Sequence, residues 1–319
     1  MIRSLRDVLP EHLSDYGGKA VNLARLQEIG VQVPEGIVVS TQGFSRFLNQ
    51  CQHLETLNVL QQEETDIEAI LEAAEEFYNE ASKFEIPPDV ARDISHGFDQ
   101  LLGNQPVPNQ SYAVRSSATI EDTAQFSFAG QAETFLCVSD ISSILDAIKS
   151  TWLSIFSPRS LLYLKGMGIP LRQVQMGIII QEMFLGDVSG VMFTANASSG
   201  DTAQLVIDAT WGLGESIVAG KVTPDHFILQ KMPLAVVHSN LGTKAVYSDA
   251  SPKDQPNCTV LLKTPVEKRG IYCLTEKQLR ELAQLGLLIE EHFGVPQDIE
   301  WTYQHGQFVV LQTRPITTI

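Results

Sequence analysis

The residues with the clearest chemical potential lie near the C-terminus. Asp298-Ile-Glu-Trp301 is followed by a short polar turn through Gln304, His305 and Gly306, and then by Phe308-Val-Val-Leu-Gln-Thr-Arg-Pro315. This is the pattern of a β-hairpin. Side chains alternate along a strand with period two, so Gln312 and Arg314 share a face where the cross-strand Glu300 meets them. A carboxylate, an amide oxygen and a guanidinium on one paired sheet suit a magnesium-bound polyphosphate, because magnesium takes oxygen ligands and leaves positions for water and phosphate. A hairpin with scattered solvent-facing polar groups is the rival reading, and the segment alone does not separate the two.

A second concentration of chemistry is Ala113-Val-Arg115-Ser116-Ser117-Ala-Thr-Ile-Glu121-Asp122, followed by Phe128-Ala-Gly130-Gln131-Ala-Glu-Thr134-Phe-Leu136. An arginine leaving a strand into a serine-rich loop, then a small-residue turn feeding another strand, supplies charge, hydroxyls and backbone N–H groups for phosphates. Serine and glycine loops also occur without ligands. Lys19 in Gly17-Gly18-Lys19 lacks the P-loop spacing and is followed by Ala20, which disfavours a Walker fold. From a helix start, where the dipole favours anions, the lysine reaches phosphate oxygens; an exposed cap lysine is the competing explanation. Met176 to Met183 is an apolar run that turns polar at Gln181 and Glu182, suited to an adenine slot or simply to a buried strand.

The elements that must position these residues read as mixed helix and strand. Gly17 to Leu26 is a glycine turn entering an amphipathic helix that Gly30 ends, and Thr41 is placed to cap a helix through Phe44 and Phe47. Apolar residues recur at three and four from Glu63 to about Lys83 and from Pro87 to about Leu102, which predicts two surface helices. Strands are expected at Tyr112 to Arg115, Glu133 to Val138, Val174 to Gln181, Ser189 to Thr194 and Leu205 to Ala209. Helices are expected from Ile141 to Ile155 and from Arg159 to Lys165. Phe227 to Ile271 reads as a β-rich insertion, followed by a helix from Thr275 to Phe293 opened by a Thr275–Gln278 capping box.

Composition bounds the function. At 319 residues the chain is long enough for two lobes or two joined domains. No apolar run reaches the roughly 18 residues of a membrane span, and the start lacks a signal-peptide pattern, so a cytoplasmic protein without membrane contact is expected. The net charge of −16, from 22 Lys plus Arg against 38 Asp plus Glu, repels nucleic acid. Cys51, Cys137, Cys258 and Cys273 show neither zinc-site nor disulfide-framework spacing and are expected to be reduced.

Taken together, Gly-Gly-Lys-Ala-Val-Asn-Leu, Val-Arg-Ser-Ser-Ala-Thr-Ile-Glu-Asp, Phe-Ala-Gly-Gln-Ala-Glu-Thr, Gly-Val-Met-Phe-Thr-Ala-Asn, Gly-Leu-Gly-Glu-Ser, Val-Thr-Pro-Asp and Leu-Gln-Thr-Arg-Pro resemble one family. It is the nucleotide-binding domain of the phosphoenolpyruvate synthase and pyruvate phosphate dikinase family, which includes rifampin phosphotransferase, and the match runs from Gly17 to Pro315. The resemblance implies an α+β ATP-grasp fold over 1–319, with ATP between two lobes that meet near 195–200. It implies that Lys19, Arg115 and Arg314 bind phosphates and act in catalysis, that Gly130 and Thr134 line the phosphate loop, and that Gln181, Glu182 and Met183 meet adenine. Glu300 and Gln312 would hold Mg2+. Ala197 departs from the family, which commonly has proline there.

The same resemblance implies ATP-dependent phosphoryl transfer to a histidine on a separate domain or subunit, for onward transfer to pyruvate, an antibiotic or another acceptor. No glycine-rich, Ser-His-centred phosphohistidine loop is visible in this sequence, so that partner is expected elsewhere. His226 sits in Val-Thr-Pro-Asp-His, where the family has an aromatic or similar residue. A non-catalytic ATP-binding module and a stand-alone kinase acting on a small acceptor are the alternatives.

Overall fold

Two separate antiparallel sheets form the framework of the computed structural model, which describes residues 1–62, 66–102, 110–119, 134–250, 259–317 and 319. Each sheet belongs to its own compact unit, one made of Met1–Ala24 and Glu35–Met183, the other of Arg25–Pro34 and Phe184–Ile319.

In the first unit β1 (Ile2–Ser4), β2 (Gly36–Val39), β3 (Tyr112–Ala118), β4 (Thr134–Val138) and β5 (Met176–Glu182) pair in the order β1-β2-β5-β3-β4. Its helices are α1 (Leu13–Tyr16), the first part of α2 (Gly18–Glu28) as far as Ala24, α3 (Thr41–Gln50), α4 (Glu55–Leu60), α5 (Ile67–Ala81), α6 (Pro88–Leu102), α7 (Ile141–Leu153) and α8 (Pro158–Gly166). Alternate strand residues Ile37, Val39, Tyr112, Val114, Ile178 and Ile180 enter one apolar cluster with Phe44, Phe77, Ile94, Ile148 and Leu164 from the helices. Each such fully buried side chain contributes on the order of 1.5–3 kcal/mol, so this helix layer holds the sheet from one side. The intervening residues Arg115, Ile179 and Gln181 are left to the opposite face.

The expected helices and strands are present with shifted ends. Asp66 caps α5 by accepting from Ala69 N–H at 2.8 Å. Ser40, not Thr41, is the N-cap of α3, and the Thr41 hydroxyl donates to the Ser14 carbonyl at 3.2 Å. β1 and α4 were not expected, being too short to carry a period. Cys137 is disulfide-bonded, which corrects the expectation of four reduced cysteines.

The second unit contains β6 (Val188–Phe193), β7 (Gln204–Trp211), β8 (Asp225–Gln230), β9 (Ala235–Asn240), β10 (Val246–Ala250), β11 (Thr259–Lys263), β12 (Gln297–Gln304) and β13 (Gln307–Pro315), with α9 (Glu215–Val218), α10 (Val266–Arg269) and α11 (Glu276–Phe293). The six-stranded sheet runs β13-β12-β6-β7-β8-β9, and β10 pairs with β11 alone. The helix α11 opens with the expected capping box, Gln278 N–H donating to the Thr275 hydroxyl at 3.3 Å, and closes at left-handed Gly294. A Cβ at Gly286 would press on the Met192 thioether, so this glycine lets α11 lie close over β6.

The division between units falls at Met183/Phe184. The reason is long-range pairing: β6 hydrogen-bonds to β12 and β7, which draws residues 188–193 into the second sheet. The segment Arg25–Pro34 joins that unit too, with Val310 N–H on the Gln32 carbonyl at 2.9 Å and Arg25 stacked 4.0 Å from the Phe293 ring.

Candidate functional site

In the second unit the hairpin β12–β13 forms around His305 and Gly306, both with positive φ, the backbone that a tight two-residue hairpin turn requires. Its register sets Glu300 directly opposite Gln312 and Asp298 opposite Arg314. A bulge follows Glu300: Trp301 pairs with Val310, leaving Leu311 as the extra residue. That extra residue lets Val310 share the buried face of Trp301 while Gln312 shares the face of Glu300. All four polar groups therefore lie on one face, with Ile299 and Trp301 fully buried on the other.

The guanidinium of Arg314 donates through Nε at 2.8 Å and Nη2 at 2.6 Å to Oδ2 of Asp298. Burial pushes the Asp298 carboxyl above its ordinary range; Arg314 opposes this by charge and hydrogen bonding, and the nearby Glu300 adds to the rise. Asp298 is the residue missed from sequence, although its place two residues before Glu300 on a strand was the available sign. The same face continues across the sheet, with Val191 opposite Glu300, Asp208 opposite Val191 and His226 opposite Asp208.

In the first unit the start of α2 is held against the end of β3. Gly17 has φ +80°, and a Cβ there would overlap the Ser117 carbonyl, so only glycine fits. Ser117 accepts the Ala20 N–H at 3.1 Å, capping the helix from a distant strand, and Lys19 Nζ donates to the Ser116 hydroxyl at 3.3 Å. Sequence reading placed these serines in a loop after Arg115. They lie instead within β3, both buried, where their hydroxyls anchor the helix that carries the lysine.

Arg115 pairs opposite Thr134 of β4 and Ile179 of β5, so Arg115, Thr134 and Gln181 share the sheet face away from the helix layer. Gln181 is buried and Arg115 half-buried. Glu182 falls on the opposite face, opposite Tyr112, and burial raises its carboxyl. The N–H groups of Glu182 and Met183 are already given to the Glu35 and Ser111 carbonyls at 2.8 and 2.9 Å, and Met183 Sδ accepts the Cys137 N–H at 3.2 Å. Gly130 lies outside the described residues.

The family described as pyruvate phosphate dikinase, AMP/ATP-binding domain, matches residues 14–319. A probable phosphoenolpyruvate synthase of Methanocaldococcus jannaschii is 32% identical over 305 residues, covering 95% of this chain and 25% of that protein. A rifampicin phosphotransferase of Bacillus subtilis is 34% identical over 327 residues, covering all of this chain and 36% of that protein. A phosphoenolpyruvate synthase of Pyrococcus furiosus is 30% identical over 346 residues, covering 95% of this chain and 42% of that protein. The chain belongs to the pyruvate phosphate dikinase AMP/ATP-binding domain family. It spans from a quarter to less than half the length of these curated relatives.

Proposed function

We propose that this chain is the ATP-binding component of an ATP-dependent phosphotransferase, built as an ATP-grasp domain. It transfers a phosphoryl group to a histidine on a separate domain or subunit. The observation that carries the reading is the direct cross-strand pairing of Glu300 with Gln312, one step from Arg314 on the same face. A carboxylate and an amide oxygen are hard oxygen donors of the kind magnesium accepts, and a guanidinium beside them meets phosphate. The residues thus fit Mg2+ as a resident ion, which would supply neutralisation of phosphate charge. In the first unit Lys19, Arg115 and Thr134 are suited to phosphate oxygens, and Gln181 and Met183 to the base. Gly130 is assigned to the phosphate loop by resemblance alone. Glu182, with its side chain on the other face, is suited to contribute through its carbonyl.

Phosphoryl transfer depends mainly on positioning and charge neutralisation, which is what these residue types supply. Onward transfer to pyruvate, an antibiotic or another acceptor is assigned by likeness to the named relatives. Calorimetric titration with ATP, with and without Mg2+, tests the reading. Magnesium-dependent binding that is lost in Glu300→Ala supports it, and binding indifferent to both the ion and the substitution overturns it. Mixing the chain with a cognate histidine domain and ATP then separates a transferase from a binding module, by the mass of a phosphohistidine.

A further inference from the structure

Away from Glu300 and Gln312, the open face of the second sheet carries a different set of groups. His226 on β8 lies opposite Asp208 of β7 on one side and Asn240 of β9 on the other. Asp208 Oδ1 is 2.8 Å from His226 Nδ1. A carboxylate accepting from Nδ1–H fixes the tautomer whose lone pair is on Nε2, which is how a carboxylate behind a metal-binding imidazole prepares it. His238, two residues before Asn240 on β9, stacks edge-on to His226 with ring centroids 6.3 Å apart. Both His238 and Asn240 are exposed, and the His226 side chain is 38% exposed.

We propose that His226 and His238 form a binding site for a borderline transition cation such as Zn2+, with Asp208 orienting His226 from behind. Zn–N bonds of ~2.0–2.1 Å at a tetrahedral ion bring two imidazole centroids to ~5 Å, about 1 Å closer than here, within a side-chain rotation of exposed His238. Asn240 stands where its amide oxygen can serve as a third group, and water completes the shell. No group of three or more His, Cys, Asp or Glu among the described residues surrounds one metal position, so the protein supplies only two strong ligands. Imidazole nitrogen selects zinc, copper or nickel over magnesium, whereas Glu300 and Gln312 offer oxygen alone. The site is therefore chemically distinct from the hairpin and does not depend on the function proposed above.

Titration of the full chain with Zn2+ in excess Mg2+, followed by calorimetry, tests the site. One ion per chain is expected, with affinity reduced about tenfold or more in His226→Ala and in His238→Ala, and by about 10–100-fold in Asp208→Asn, the usual range for an outer carboxylate. His305→Ala, at the hairpin turn, should leave it unchanged. Absence of Zn2+ binding, or binding untouched by both histidine substitutions, overturns the proposal and leaves a hydrogen-bonded Asp208–His226 pair with edge-on ring packing. Should His226→Ala disturb folding, His238→Ala on the exposed edge strand decides alone, with its zinc-free melting curve as the control.

Discussion

Arg314 directs two hydrogen bonds onto a single oxygen of Asp298, its cross-strand neighbour, and so neutralises a carboxylate that burial alone would drive toward protonation. In Arg314→Ala the causes that raise the Asp298 carboxyl act unopposed. A carboxyl whose folded value is raised adds stability below its unfolded value and withdraws it as pH climbs through the folded value. The deficit of the variant should therefore be small near the ordinary aspartate value of 3.8 and grow toward neutrality. About 1–3 kcal/mol is expected at neutral pH, as for loss of a charge-assisted hydrogen bond. Denaturant melts of both proteins over that pH range check the sign, and a deficit that shrinks on raising the pH would refute it.

Glu300→Ala should behave differently. It removes a like charge from beside Asp298, so its stability deficit at neutral pH is expected to be smaller than that of Arg314→Ala, while magnesium-dependent ATP affinity falls at least about tenfold, equal to about 1.4 kcal/mol. Calorimetry and a melting curve on the same sample separate the two effects. Equal loss of both would mean that Glu300 is a structural residue.

Gly17→Ala is expected to cost more than about 2 kcal/mol, because it combines a left-handed backbone with overlap on the Ser117 carbonyl. Relief of the overlap must shift α2, and with it Lys19. Urea denaturation gives the cost, and a fall in ATP affinity greater than that of Gly30→Ala, whose added Cβ meets open space, shows the coupling to Lys19.

Asp225 and Lys244 form an ion pair with both side chains fully buried. Asp225 also accepts the N–H groups of Gly242 at 2.9 Å and Cys273 at 2.7 Å. Replacement of Asp225 by Ala should cost about 3–5 kcal/mol, as expected when one partner of a buried pair is removed. Adding Lys244→Met should recover only part of this, since the two backbone donors still lack an acceptor. Full recovery in the double variant, measured by chemical denaturation, would show that the charge pair alone matters.

Legibility from sequence followed the range of the interactions. The hairpin could be read because a polar turn ending in glycine separates two strand patterns, and α11 because its cap and period are local. Ser116 and Ser117 were misplaced because nothing nearby in the chain shows that a helix start almost a hundred residues earlier needs their hydroxyls, at a separation of 97. Asp298 was not singled out, since the partner that marks it, Arg314, meets it only across the strand pair. Lys244 could not be read at all: its burial rests on Asp225, 19 residues earlier, and on the Gly242 carbonyl, both of which accept from its Nζ. The division at Met183/Phe184 is hidden from local reading in the same way, as β6 finds its partner β12 far along the chain.

The bulge after Glu300 gives the hairpin a second place, besides its tip, where the chain can change length without turning a face. Deleting Leu311 would make Val310 and Gln312 neighbours, and simple alternation would then keep Val310 opposite Trp301 and Gln312 opposite Glu300, so the loss of this one residue should be tolerated better than the loss of Gln312 or Thr313, which would turn Arg314 to the buried side. Lengthening the His305–Gly306 connection by a few residues leaves both registers intact. Natural variation in length within this hairpin should therefore gather at its tip and at Leu311, and be excluded from the stretch Gln312 to Arg314.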